Sequence, residues 1–212
     1  MQDGENNWMN IADIMSALMM IFMFISIAFL YQILNEREVY KVSLNKALHE
    51  EFDKDLDRWQ AIITDDNIMR FNSPFEAGSK ELPGEFSLIL AKYFPRYIKV
   101  LTDKKFKDEI AEIRVEGHTS DGWGSLTDKK KIYLNNMNLS QGRASNVLEL
   151  CYELNNTTVE DNRDWLQHNL RANGMASSKL LYQNNSMDQD RARSRRVEFM
   201  VATKENLNGR DK

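Results

Sequence analysis

The sequence predicts an α/β protein tied to a membrane: one N-terminal transmembrane helix, a linker helix, and an α/β sandwich with helices over one sheet. Three observations predict it. Residues 14–34 run 21 positions without a charge. Behind them an apolar stripe recurs at helical spacing, and from about Ala61 short strand patterns interleave with helical ones. The 212 residues carry a net charge of −4, one cysteine (Cys151), 3 prolines and 9 glycines. That balance excludes a generally basic nucleic-acid binder, an intrachain disulfide framework and a long flexible linker.

The span comes first. IMSALMMIFMFISIAFLYQIL, from Ile14 to Leu34, forms a helix roughly 31 Å long at about 1.5 Å per residue, matching a hydrocarbon core. A core helix of a soluble protein would keep a polar face, and this stretch has almost none. A cleaved signal peptide normally carries a basic n-region. Here Asp3 and Glu5 stand in that place and no Lys or Arg precedes Arg37, although Ser26 and Ala28 imitate a cleavage site. One retained span is therefore predicted. Arg37 and Lys41 follow it, and charge bias by itself would put the rest of the chain in the cytoplasm.

Asp13 stands at the entrance of this helix. Asn10 is placed to cap it and Trp8 to mark the membrane interface. Five residues on from Trp8, Asp13 lies roughly 7 Å deeper. An ionised carboxylate at the bilayer centre costs about 2.5–3.5 kcal/mol, and less nearer the surface. Ala12, Ser16, Ala17 and Met20 share its helical face, and the small side chains there admit a close partner helix. Two readings stay open from position alone. Asp13 is either an ion-carrying acid that needs partner helices from another chain, or an interfacial acid favoured by the helix dipole.

Tyr40, Leu44, Leu48, Phe52, Leu56, Trp59 and Ile63 make the stripe of the next helix. It packs either onto the following domain or against a second copy as a dimer stalk. Ile62-Ile63 and Ile68–Phe71 read as strands around the turn Asp65-Asp66-Asn67. Glu85–Leu101 reads as a helix with Pro95 as a kink or break. Ile110–Glu116 alternates as a strand, Leu139–Leu154 is helical, and Trp165–Asn173 reads as a helix closing at Gly174. Arg196–Ala202 is the last strand.

Trp8 followed by Ala12-Asp13-Ile14-Met15-Ser16-Ala17-Leu18-Met19-Met20 resembles the transmembrane motif of the B subunits of ion-driven stator motors, the MotB, PomB and ZorB family. Asp13 falls on the ion-binding position. Four later blocks resemble the OmpA-like peptidoglycan-binding domain across roughly residues 61–203. They are Ile68-Met69-Arg70-Phe71, Val115-Glu116-Gly117-His118-Thr119, Leu139-Ser140-Gln141-Gly142-Arg143-Ala144, and Asp190 to Phe199. On that resemblance residues 1–35 form the short tail and span, 36–60 a linker or plug helix, 61–204 the OmpA-like domain and 205–212 a tail.

The resemblance implies a ligand in which an Arg takes a carboxylate of a stem-peptide diaminopimelate and an Asp takes its amine. Arg143 holds the Arg position. The Asp position is filled by Ser120, with Asp121 one place later. Asp121 substitutes through a loop adjustment, or wall binding is weak. Asn136 and Leu139 shape the rim, Arg191 or Arg195 stands near the ligand while the other arginines of that run pair with acids, and His118 holds its turn. The four arginines 191, 193, 195 and 196 are also compatible with a solvated stripe; without an aromatic platform no direct nucleic-acid binding is expected.

His49 and His168 lack metal-ligand spacing, and no nucleophile elbow or P-loop occurs. The implied protein is not an enzyme and has no cofactor; the ion it carries is H⁺ or Na⁺. The implied assembly is a homodimer whose spans stand inside a ring of five MotA/ZorA-like subunits in a bacterial inner membrane. Its N-terminus is cytoplasmic, and its C-terminal domain is periplasmic and wall-bound, against the charge bias noted above. Within the family the acidic start MQDGENN and the altered turn at Ser120 favour the anti-phage Zorya branch over the flagellar one. A passive OmpA-like anchor and a transducer of the ExbD or TolR type are the rivals.

Overall fold

A computed structural model describes residues 3–72, 75–183 and 186–204, without the side chains of residues 3–7, 9 and 10. The expected tail at 205–212 lies outside the described residues. The chain divides into two compact units, Met1–Ser43 and Leu44–Lys212.

The first unit is helical. Helix α1 covers Asp3–Trp59, and its part up to Ser43 belongs here. The helix begins ahead of Asn10, so that residue lies inside it and does not cap its start. Side chains 11–32 are all exposed, in a stretch of mean hydropathy 2.3 that is long and apolar enough to cross a membrane. Exposure of Ile14, Phe22, Phe24 and Phe29 (61–67%) is untenable in water and normal in lipid.

In the second unit the end of α1 is spent on the fold. Leu44, Leu48, Phe52 and Trp59 are buried. Phe52 lies 5.2 Å from the Tyr93 ring and Trp59 meets the same ring edge-on at 6.2 Å. Arg96 sits over Phe52 at 4.9 Å and ties the helix down through Glu51 Oε1 (2.6 Å) and Asp55 Oδ2 (2.7 Å). The stripe therefore packs within its own chain, and these side chains cannot also form a dimer seam. Ile63, counted with the stripe, is in a strand.

Five strands form one sheet in the order β1-β2-β5-β3-β4: β1 (Ala61–Ile63), β2 (Met69–Asn72), β3 (Ile110–Gly117), β4 (Leu170–Gly174) and β5 (Arg196–Thr203). Only β3 and β4 run parallel, joined through helices α3 (Lys129–Tyr152), α4 (Thr157–Asp161) and α5 (Arg163–Asn169). Helix α2 (Gly84–Leu101) continues through Pro95, because Phe94, Pro95, Tyr97 and Ile98 are all buried and their packing outweighs one lost hydrogen bond. Met69, Phe71, Val115, Val197 and Phe199 alternate onto the core face. The α/β sandwich is as expected.

Two elements differ from expectation. Residues 170–173 continue as strand β4, not as helix: Leu170 is already extended (φ −86°, ψ 128°), and the segment pairs with Ile113–Gly117. Gly174 is a strand end pressed on α3, where an added Cβ would lie 2.6 Å from Gln141 N. Helix α3 starts ten residues before Leu139, capped by Asp128, which accepts from the N–H groups of Lys130 and Lys131. The long segment after Thr119 is thus mostly extra helix.

Candidate functional site

In the first unit Asp13 is exposed on α1, flanked on its face by exposed Ala12, Ser16, Ala17 and Met20. Ser16 turns its hydroxyl back to Ala12 O (2.8 Å), so it spends its donor inside the helix. Asp13 is the one charged residue between Glu5 and Glu36. A carboxylate in such a stretch requires a proton, a cation or a partner to offset its desolvation.

In the second unit the expected wall-binding residues gather where β3 ends against α3. Gly117 is obligatory there, since a Cβ would lie 2.2 Å from Ser140 O. The turn that follows is pinned by its backbone: His118 N–H donates to Arg196 O (2.9 Å) and Thr119 N–H to Ala176 O (2.9 Å). Ala176 holds a left-handed φ of 46° while buried, a strain maintained by Ser140 Oγ, which accepts its N–H at 3.0 Å.

Arg143 is buried. Its Nε donates to Ser79 O (2.8 Å) and an Nη to Glu76 O (2.9 Å), with the guanidinium 4.8 Å from the Phe75 ring. It has no ion-pair partner among the described residues. Burial, and then the like charge of half-buried Arg195, lower its pKa to about 10. An anion bound near Arg143 would relieve both the burial and the like charge. Asp121, exposed, pairs with Arg191 (Oδ1–Nη2 3.4 Å). Asn136 does not line a rim; it is buried and donates to Gly122 O (3.4 Å), holding the Asp121 loop to α3. Leu139 is half-buried one turn on.

Beneath the turn lies a charge cluster in which sequence reasoning foresaw His118 and the pairing of Arg196 with an acid, but not the parts of Arg70, Glu116 and Lys179. Glu116 and Glu198 stand directly opposite on β3 and β5, with Arg70 opposite Glu198 on β2. Glu198 Oε1 accepts from Arg70 Nε (2.7 Å) and Arg196 Nε (2.6 Å), and Lys179 Nζ reaches Glu116 Oε2 at 3.2 Å. His118 Nε2 lies 3.2 Å from Glu198 and 3.6 Å from Glu116, and neither of its ring nitrogens makes an aligned hydrogen bond. Glu116, His118 and Glu198 could ligate a metal by distance, but three neighbouring cations already balance the two acids and would repel one. Of the arginine run, Arg196 is buried here, while Arg191 and Arg193 are exposed.

No family model matches the chain. The Zorya protein ZorB of Escherichia coli is 39% identical over 220 residues, covering 97% of this chain and 91% of that protein. The chain belongs to the ZorB family. Among solved structures, the cell wall anchor of the T6SS from Pseudomonas aeruginosa is similar at 22% identity over 74% of this chain and 97% of that one (TM-score 0.49). The periplasmic domain of Helicobacter pylori MotB is similar at 20% identity over 68% and 80% (TM-score 0.42).

Proposed function

We propose that this ZorB-family chain is the B subunit of an ion-driven inner-membrane motor in Zorya anti-phage defence. Two copies place their spans inside a ring of five partner subunits, with the N-terminus cytoplasmic and the Leu44–Lys212 unit periplasmic. Protonation of Asp13, or Na⁺ binding to it, changes its contacts with the ring, and release on the other side restores the charge. The second unit holds peptidoglycan through Arg143 and Arg195, which keeps the dimer still while the ring turns.

One observation carries this reading: a lone carboxylate in a fully exposed apolar helix with no cation of its own chain in that stretch. The ZorB relationship supports the defence role, and the buried Arg143 guanidinium, without an ion-pair partner among the described residues and under the like charge of Arg195, supports capture of a carboxylate. The test is Asp13→Asn, expressed with the partner subunits in cells challenged with phage. Protection is lost while the amount of chain in the membrane is unchanged. Full protection by the variant would reduce the protein to a passive anchor.

A further inference from the structure

The wall-binding end of the second unit is built from two rows. Asn136 and Arg143, two turns apart on α3, are roughly 10 Å apart along the helix. The short helix α6 (Arg191–Ser194) and its following residue set Arg191 and Arg195 one turn apart, with Arg191 against the Asp121 loop. Arg143 and Arg195 sense each other at one end. Asp121, tied to Asn136 through Gly122, meets Arg191 at the other. Such a site has a cationic end and an acidic end, so it suits a ligand that carries both a carboxylate and an amine.

The acidic end is already engaged. With its amide turned to satisfy both groups, Gln189 donates to the Asp121 carboxylate and accepts the Asp121 N–H at 3.1 Å. Its own strand position is fixed by the bridge to Tyr182. Arg191 Nη2 then stands 3.4 Å from Asp121 Oδ1, where an ammonium donor would stand, and both side chains are more than half exposed. An exposed pair of this kind is weak and is readily exchanged for another cation.

We propose that Arg191 is a built-in competitor for the ligand's amine: Gln189 holds Asp121 in place, and the Arg191 guanidinium occupies it until an ammonium group displaces it. This rests on the reading of Arg143 and Arg195 as the carboxylate subsite. The chain thereby lowers its own affinity for the wall and makes that affinity depend on ionic strength.

The experiment uses the full chain in detergent and two probes. One is a peptide ending in meso-diaminopimelate with its side-chain amine free; the other is the same peptide with that amine acetylated. Arg191→Gln tightens binding of the free-amine peptide about 1.5- to 5-fold at low salt. The gain shrinks as salt is added, is absent for the acetylated peptide, and disappears in an Asp121→Asn background. Weaker binding of the free-amine peptide by Arg191→Gln, or an equal change for both probes, overturns the proposal. If Arg143→Gln leaves binding of both peptides unchanged, the carboxylate subsite itself is wrong and the proposal falls with it.

Discussion

Glu198→Gln isolates the charge on which the buried cluster converges. The side chain is 2% exposed and bonds Arg70 and Arg196 at 2.7 and 2.6 Å, with His118 at 3.2 Å. Glutamine keeps its shape, so no cavity opens; the change leaves buried Arg196 without its counter-charge and turns an amide donor towards other donors. Breaking a buried pair in this way costs about 3–5 kcal/mol. At a urea slope of about 2 kcal/mol per M the unfolding midpoint falls by roughly 2 M. The assay is a urea titration of residues 44–204, a unit that contains every buried apolar side chain among the described residues. Glu50→Gln is the control. Its partner Lys46 forms an exposed i,i+4 ion pair at 3.7 Å, and the loss stays within about 1 kcal/mol.

Acid supplies a second readout of the same residue. Burial alone would raise the Glu198 carboxyl, but His118 and Arg196 outweigh it and hold it far below its usual value; His118 and Lys179 likewise outweigh burial at Glu116. A depressed carboxyl contributes stability that is complete above about pH 4.3 and drains away as pH falls toward the folded-state value. Wild type therefore weakens on acidification below that point, and Glu198→Gln does so with a shallower slope. A midpoint shift no larger than that of the control, or an unchanged acid slope, would refute the reasoning.

Two further expectations concern the ground beneath the wall-binding turn. Gly117→Ala puts a Cβ against Ser140 O, which is backbone and cannot rotate away; at an overpacking cost of about 1–3 kcal/mol a thermal melt drops by roughly 2–12 °C, and Arg143-dependent peptide binding weakens as α3 shifts. Cys151 is fully buried and burial alone pushes its thiol pKa up, so a thiol reagent labels it only at the rate of unfolding; fast labelling in native conditions would contradict the packing of α3.

The sequence was most legible where one period dominated. The span needed only the absence of charge from Ile14 to Leu34, and β5 only the alternation of Val197, Phe199 and Val201. β4 was hidden because no turn residue separates it from α5: Leu166 and Leu170 are a helical step apart, and the chain passes into strand at Leu170 itself. The first ten residues of α3 were hidden because their apolar side chains do not mark the buried face, Tyr133 and Leu134 being exposed while Asn136 is buried, and only the Asp128 cap announced them. Motif spacing singled out Arg143 but could not report its burial against the 75–80 loop. The Arg70–Glu198–Glu116 row left a trace, a charge on the alternate face of each strand, but its pairing depends on register. Gln189 meets Asp121 across 68 positions, and no local pattern reports such a contact.

The two units treat their acids in opposite ways, and that contrast can be tested at Asp13. Glu116 and Glu198 are each answered by cations of the same chain, whereas Asp13 has none from Glu5 to Glu36. If the missing counter-charge is what the protein works with, supplying a permanent one must stop it. Met20→Lys does so on the same helical face. It is two turns further along the span, roughly 10 Å from Asp13 along the axis, so its ammonium acts on the carboxylate through the apolar medium rather than by contact. A lone Lys deep in the span costs about 2.5–3.5 kcal/mol, which the apolar side chains of the otherwise charge-free stretch from Ile14 to Leu34 outweigh, so the chain still inserts. Phage protection disappears with Asp13 intact, while Met20→Gln, polar and uncharged, retains it; membrane fractions report equal amounts of all three chains. Protection by Met20→Lys at the wild-type level would mean that Asp13 needs no exchangeable partner, and the acid would then be no more than a marker of the membrane surface.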